Sequence, residues 1–101
     1  MNKKIVQAVL ERSEGLCEVQ GCYAPGTELH HLIFGSGKRK QHETVESVKL
    51  LCYEHHRGTS GIHGKNGREL DLKLKRELQE EYFNMGYKEN EVRQMLGGKL
   101  Y

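Results

Sequence analysis

The chain of 101 residues has no long apolar run, few hydrophobic residues and an odd number of cysteines. No apolar stretch approaches the roughly 20 residues that a membrane-spanning helix needs, and the N-terminus lacks a signal-peptide core. We therefore expect a cytoplasmic protein with no membrane partner. Thiols stay reduced in that compartment. Since three cysteines cannot all pair within one chain, metal binding is favoured over disulfides.

Only 36% of the residues are hydrophobic, whereas 30% are charged. A chain of this length has room for one domain with a modest core, and many such domains depend on a metal or on disulfides. Because no linker divides the sequence, we expect a single domain over 1–101. The net charge of +2 is compatible with nucleic-acid binding but does not indicate it.

The hydrophobic spacing predicts an α+β fold. Elements are expected in the order helix, strand, strand, short helical turn, long helix and short helix, over 3–13, 28–33, 45–52, the residues after Cys52, 66–83 and 89–96. Asn66 and Glu69 have the spacing of a capping box, which predicts where the long helix begins. The pair Asp71 and Lys75 is expected to support that helix on its surface.

Three cysteines and one histidine have the spacing of a zinc site. Cys17 and Cys22 form a short knuckle before the first strand, and Cys52 and His55 follow the second strand. Structural zinc binds four thiolate or imidazole ligands at tetrahedral corners, so one ion would clamp the two strands together. The alternative is three buried apolar cysteines and a surface histidine. The neighbouring His56 also competes with His55 as the fourth ligand.

The remaining histidines exceed what this zinc site needs, and their number favours a second, open metal site. His30 and His31 end the first strand, where successive side chains point to opposite faces. One of them can therefore bind a metal while the other acts as a general base. His56 and His63 are further candidate ligands. The alternative for the doublet is a polar strand end, and His42 is expected to be solvated.

One dense basic run, Lys38-Arg39-Lys40, lies in a loop with glycine and serine. Such a run is usually a solvated loop, but beside an anion-binding site it could contact a nucleic-acid backbone. Arg57 and Arg68 lie nearer the histidines in the sequence and could hold a phosphate.

Together these residues resemble the HNH, or ββα-metal, nuclease superfamily. In that family a histidine doublet ends one strand, a loop and a strand ending in cysteine follow, and a Cys-x-x-[Cys/His]-His turn opens a helix. The matching segments here are His30-His31, Ser47-Val48-Lys49-Leu50-Leu51-Cys52 and His55-His56. The resemblance covers about residues 12–63, including the lead-in to the knuckle, Arg12-Ser13-Glu14-Gly15-Leu16-Cys17.

The resemblance implies a zinc-stapled ββα core with a flanking N-terminal helix and a helical C-terminal extension over about 66–101. The extension is similar to that of small phage and prophage HNH proteins, some of which are grouped with RecA-dependent recombination-enhancement nucleases. The implied function is a metal-dependent DNA endonuclease of low sequence specificity. The implied partners are DNA and, through the helical tail, a recombinase or packaging protein.

By the same resemblance, His30, His56 and His63 would bind a catalytic divalent ion such as Mg²⁺, Mn²⁺, Ni²⁺ or Zn²⁺, and His31 would be the general base. A structural Zn²⁺ would be held separately. Ser47 stands where the family has an asparagine that braces the loop and helps to orient the base. Because serine is shorter, backbone carbonyls or Thr44 would have to compensate. This departure keeps open a non-cleaving, zinc-stabilised DNA-binding module or a recombination or packaging accessory protein.

Overall fold

The computed structural model of the protein describes residues 1–34 and 42–101. Within these residues it has an α+β fold with one two-stranded antiparallel sheet and four helices. The elements, in chain order, are α1 (Lys3–Ser13), β1 (Glu28–His31), β2 (Val48–Leu51), α2 (Tyr53–Arg57), α3 (Arg68–Asn84) and α4 (Glu89–Met95). The basic run that contains Lys38, Arg39 and Lys40 lies outside the described residues.

Helix α1 begins at a side-chain cap and lies against the sheet. The side chain of Asn2 accepts a hydrogen bond from the backbone N–H of Lys4 at 2.8 Å, which satisfies one of the free donors at the helix start. Val9 is fully buried and packs with Val48 and Leu50. Arg12 also donates hydrogen bonds to the backbone carbonyl of Val48 at 2.7 Å, so α1 is tied directly to β2.

Strands β1 and β2 place the histidine doublet opposite the start of the second strand. His30 pairs with Lys49, and His31 pairs with Val48. Both strands are shorter than predicted, at four residues each. Strand β1 ends at His31 because the chain then turns into the core, where Leu32 is fully buried. The carbonyl of Ser47 still accepts a hydrogen bond from Leu32, which holds the chain after β1 against the chain before β2.

The predicted long helix is confirmed, but its predicted capping box is wrong. Helix α3 begins at Arg68 with Gly67 as its N-cap and no side-chain cap. Asn66 instead donates its backbone N–H to the carbonyl of Thr59 at 2.8 Å, as part of the preceding loop. The predicted pair of Asp71 and Lys75 is present at 2.8 Å.

The main core lies between the sheet and the two C-terminal helices. Its fully buried members include Leu32, Leu51, Leu78, Tyr82, Val92 and Leu96. Cys17 and Cys52 belong to the same cluster, so the expected metal knuckle is joined to the core. In the described part of the chain, none of the helices has the length and apolar character needed to cross a membrane.

Candidate functional site

Cys17, Cys22, Cys52 and His55 converge on one point and form a group that could hold a metal ion. Nδ1 of His55 lies 3.5 Å from Sγ of Cys17 and 3.3 Å from Sγ of Cys52, and the thiols of Cys22 and Cys52 are 4.0 Å apart. A tetrahedron with ligand bonds of about 2.3 Å has edges of roughly 3.8 Å. These distances are compatible with structural zinc, and they select His55 over His56 as the histidine of this group.

The knuckle is formed by local backbone hydrogen bonds. The N–H of Cys22 donates to the carbonyl of Val19 at 2.9 Å, and Gly21 has the positive φ of 84° that this turn requires. The N–H of Cys17 donates to Ala24 at 2.8 Å. The two other members come from the junction of β2 and α2, where Cys52 is the N-cap of the helix. The group therefore joins the segment before the sheet to the segment after it.

Two thiols of this group differ in acidity: despite burial, hydrogen bonds from the backbone of His55 lower the pKa of Cys52. Burial raises the pKa of Cys17 to about 11, so this thiol stays protonated near neutral pH in the absence of a cation. Zinc binds the thiolate form, and a coordinating thiol loses its proton. Three thiols and one imidazole would fill all four positions around a zinc ion. Such a site is closed and has no position for a reactant.

His30, His56 and His63 form a second group that could hold a metal ion, with ligand atoms within 4.8 Å of one another. The ring centroid of His30 lies 5.1 Å from the ring centroid of His56 and 5.1 Å from that of His63. The centroids of His56 and His63 lie 4.8 Å apart. Nε2 of His30 and Nδ1 of His56 are buried without a hydrogen-bond partner among residues 1–34 and 42–101. Buried nitrogens of this kind are rare unless a ligand satisfies them.

Burial, followed by the charges of His56 and His63, lowers the pKa of His30 to about 3. His30 is therefore neutral under ordinary conditions, which is the form that binds metals. Oε1 of Glu28 lies 3.0 Å from Nδ1 of His56 but is not aligned as a hydrogen bond. The contacts with His56 and then with Arg57 lower the pKa of the Glu28 carboxyl.

A glycine-rich loop brings His63 to the other two histidines. The N–H of His63 donates to the carbonyl of His56 at 2.9 Å, and the N–H of Ile62 donates to His55 at 2.9 Å. The loop can pack so closely on α2 only because it lacks side chains at key positions. A Cβ at Gly61 would collide with the carbonyl of Glu54, and a Cβ at Gly64 would collide with the carbonyl of Gly58.

His31 lies at the same cleft but outside the histidine group, as the alternation of strand side chains predicts. Its Nε2 is 2.5 Å from Oε2 of Glu43, and both side chains are about seven-eighths buried. Contact with His31 lowers the pKa of Glu43, so the carboxylate is ionised and can only accept a hydrogen bond. In the neutral ring, this contact places the proton on Nε2 and the lone pair on Nδ1.

The two histidine environments share an open cleft of about 370 Å³. Polar side chains dominate its walls, which are formed by Glu28, His30, His31, His56, Arg57 and His63 together with Met1, Leu29 and Phe34. Arg57 is exposed and forms an ion pair with Glu28 at 3.1 Å. The cleft can admit a small anionic group beside a bound cation, with a histidine near both.

Ser47 is buried and does not line this cleft. Its Oγ donates towards the carbonyls of Thr44 and His42, at 3.1 and 3.2 Å, and accepts the N–H of Thr44 at 2.9 Å. Oγ1 of Thr44 in return accepts the N–H of Ser47 at 3.1 Å. Ser47 thus stabilises the turn that carries Glu43. His42, which was expected to be solvated, is half-buried.

Two carboxylates that contact the histidines of the cleft were not predicted from the sequence. Glu28 has a recognisable signal, since it stands two residues before His30 and therefore on the same face of β1. Glu43 has no such signal, because only the folded loop brings it to His31. The comparisons with protein-family models, with curated proteins and with solved structures gave no match to this chain.

Proposed function

We propose that the protein is a metal-dependent DNA endonuclease of the HNH, or ββα-metal, type. The observation that supports this most is the convergence of three histidines, two of them buried with nitrogens that lack a hydrogen-bond partner, beside a fourth histidine that contacts a carboxylate. A structural metal site needs four protein ligands, whereas three ligands at an open cleft leave room for a substrate. The order of β1, β2 and α2, with the doublet at the end of β1, is consistent with this family.

The donor set favours an anionic substrate. His30, His56 and His63 would hold a divalent ion, and as neutral ligands they would leave its charge of +2 undiminished. When bound, such an ion supplies Lewis-acid stabilisation of the charge that develops on a phosphodiester during hydrolysis. Arg57 adds a cation at the rim of the cleft, where it could contact a second oxygen of the backbone.

His31 has the geometry of a general base. Glu43 accepts a hydrogen bond from Nε2–H of the neutral ring, so Nδ1 would carry the lone pair that removes a proton from the attacking water. The carboxylate also stabilises the imidazolium that results, as in other carboxylate–histidine pairs. Ser47 and Thr44 support this arrangement indirectly, because their mutual hydrogen bonds stabilise the turn next to Glu43.

The closed metal group has a structural role in this proposal; it consists of Cys17, Cys22, Cys52 and His55. A zinc ion there would fix the start of α2 relative to the knuckle of Cys17 and Cys22, and α2 carries His56. The structural ion would therefore orient the catalytic site without taking part in the reaction. Proteins with such ions often fold only when the metal is bound.

A cleavage assay tests the proposal. Protein purified without chelator is incubated with supercoiled plasmid and with Mg²⁺, Mn²⁺ or Ni²⁺, and the formation of nicked circles is followed on a gel. We expect nicking with at least one of these ions and its loss when the ion is chelated. A protein that retards DNA but cuts neither duplex nor single-stranded DNA with any ion would instead be a non-cleaving DNA-binding module.

A further inference from the structure

A second cavity, of about 230 Å³, adjoins the histidine cleft on the side of helix α3. Two lysines and two aromatic rings dominate its wall: Lys75 and Lys99, with Phe34 and Tyr101. The remaining wall is formed by apolar residues and by the glycines that follow α4. None of these four side chains has a role in the proposed reaction.

The aromatic rings hold the two ammonium groups in place. Nζ of Lys75 lies 4.7 Å from the centroid of the Phe34 ring and 5.4 Å from that of Tyr101. Nζ of Lys99 lies 5.0 Å from the Tyr101 centroid. Cation–π contacts restrict a lysine side chain without neutralising its charge. The two cations are thus positioned beside the cavity before any ligand arrives.

Among the described residues, the side chains that line this cavity include two lysines and no aspartate or glutamate. Asp71, which is not part of the wall, accepts a hydrogen bond from Lys75 through its Oδ2 at 2.8 Å. A lysine ammonium has three donors, so this bond leaves two for a ligand. In the part of the chain that the structure describes, Lys99 forms no ion pair with a carboxylate. Two lysine side chains in a wall whose described residues include no acidic side chain favour an anionic ligand.

Tyr101 is fixed in position by helix α3. Its backbone N–H donates to Oε1 of Gln79 at 2.7 Å, and its carbonyl accepts from Nε2 of Gln79 at 3.0 Å. The segment that carries Lys99 is therefore bound to the helix that carries Lys75. This wall of the cavity is built from two elements that are joined by hydrogen bonds.

Phe34 connects this cavity to the histidine cleft. Its ring lines both spaces, and its centroid lies 5.6 Å from that of His30 and 5.9 Å from that of His63. Lys75 and the two histidines thus contact the same ring. A ligand that extends from the cleft past Phe34 would meet the lysines next. Nucleic-acid strands have this shape, because they present an anionic phosphate at every nucleotide.

We propose that Lys75 and Lys99 form a second phosphate site, which binds a phosphate of the same nucleic-acid strand close to the one in the histidine cleft. This inference rests on the proposed function and adds the path of the substrate strand to it. The strand would run from the metal ligands across the edge of Phe34 to the C-terminal segment. The site recognises backbone charge and not base identity, which agrees with low sequence specificity.

Binding of a fluorescent single-stranded oligonucleotide of 12 nucleotides, measured by anisotropy over a range of salt concentrations without added divalent ion, tests this site. Lys99→Ala and Lys75→Ala are each expected to weaken binding roughly fivefold to tenfold and to reduce the salt slope by about 0.7, the value for one lost phosphate contact on a single strand. Lys73→Ala is the matched control, because Lys73 is an exposed lysine of the same helix and does not line the cavity. It should change neither quantity.

The assay separates this inference from the proposed enzymatic activity. If the lysine variants reduce the salt slope while no divalent ion supports cleavage, the phosphate site stands and the nuclease proposal fails. If the parent cleaves DNA but Lys99→Ala binds with unchanged affinity and slope, the phosphate site is overturned. If Lys75→Ala does not fold, Lys99→Ala alone tests the site, because Lys99 is exposed. Pyrophosphate binding is measured for the parent and for Lys99→Ala to distinguish a free phosphate ligand from a nucleic-acid strand. If Lys99→Ala loses pyrophosphate binding but binds the oligonucleotide as the parent does, the strand-binding role is contradicted.

Discussion

Oε2 of Glu43 lies 2.5 Å from Nε2 of His31, and the backbone N–H of Asn2 donates to the other carboxylate oxygen at 3.2 Å. The start of the chain, the loop before β2 and the end of β1 therefore meet at one carboxylate. His31 cannot rotate freely in this arrangement. In the proposed function, this contact determines which ring nitrogen faces the substrate.

The first prediction concerns this pair. Glu43→Gln keeps the shape of the side chain but removes the charge that stabilises a protonated His31. We expect kcat for DNA cleavage to fall by about 10- to 100-fold, the scale known for carboxylates that orient metal-bound histidines, with KM and the Mn²⁺ requirement unchanged. Glu46→Gln, in the same turn, is the control. A parallel loss in both variants would indicate a structural effect and not a specific role of Glu43.

The second prediction separates the two histidines of the doublet. His31→Ala should reduce turnover by roughly 10² to 10⁴-fold, as expected when a general base is removed, and it should retain DNA affinity and metal binding. His30→Ala should instead raise the Mn²⁺ concentration needed for activity, because it removes a ligand. Metal titrations of cleavage for both variants provide the measurement. If excess metal rescues His31→Ala but not His30→Ala, the roles are reversed.

The third prediction concerns the closed metal group. Elemental analysis after gentle dialysis should find at least one zinc per chain, and strong chelation should unfold the protein, as followed by circular dichroism. The reason is that the ion would join the Cys17 knuckle to the β2–α2 junction, and the ordered site cannot persist in an unfolded chain. A zinc-free protein with an unchanged spectrum and melting temperature would refute this prediction.

The fourth prediction concerns the loop that carries His63. Gly64→Ala introduces a Cβ into the carbonyl of Gly58, so the loop must move away from α2. We expect weaker binding of Mn²⁺ at the histidine group, by tenfold or more, since one of its three ligands is displaced. Calorimetric titration with Mn²⁺ measures this. Gly86→Ala is a useful comparison, because Gly86 lies beyond α3 with open space around its Cβ position, although its φ of 98° adds local strain. Equal losses in the two variants would argue against a specific role for the loop.

The elements with strong hydrophobic periodicity could be predicted from the sequence. Helix α1 begins and ends as expected, and the apolar stripe of α3 supplies Leu74, Leu78 and Tyr82 to the core. The closed metal group could also be predicted, because its four members lie in two short segments with fixed internal spacing. The assignment of His55 to this group and of His56 to the other was also predicted, since adjacent helical residues differ in direction by about 100°, and the structure places them so.

The open site could be predicted only in part. His30 and His56 stand beside elements whose positions the sequence indicates, but His63 depends on a loop whose backbone packs directly on α2. Glycines at 58 and 61 permit that packing, and glycines at 64 and 67 let the loop pack against its own carbonyls. This spacing of three is a signal that hydrophobic patterns do not contain. Glu43 is harder still, because its contact with His31 arises from a turn held by Ser47 and Thr44. The error at Asn66 has a similar origin, since its N–H bonds within the loop.

The most direct test of a metal-dependent nuclease is the nicking of supercoiled plasmid in Mn²⁺ by the parent protein, by His56→Ala and by His42→Ala, all with their zinc content verified. His56 contributes a ligand to the open histidine group, whereas His42 lies outside the cleft wall. We predict that the parent and His42→Ala form nicked circles at similar rates and that His56→Ala loses at least 100-fold in rate. Equal cutting by all three proteins, or no cutting by a zinc-loaded and folded parent, would contradict the account.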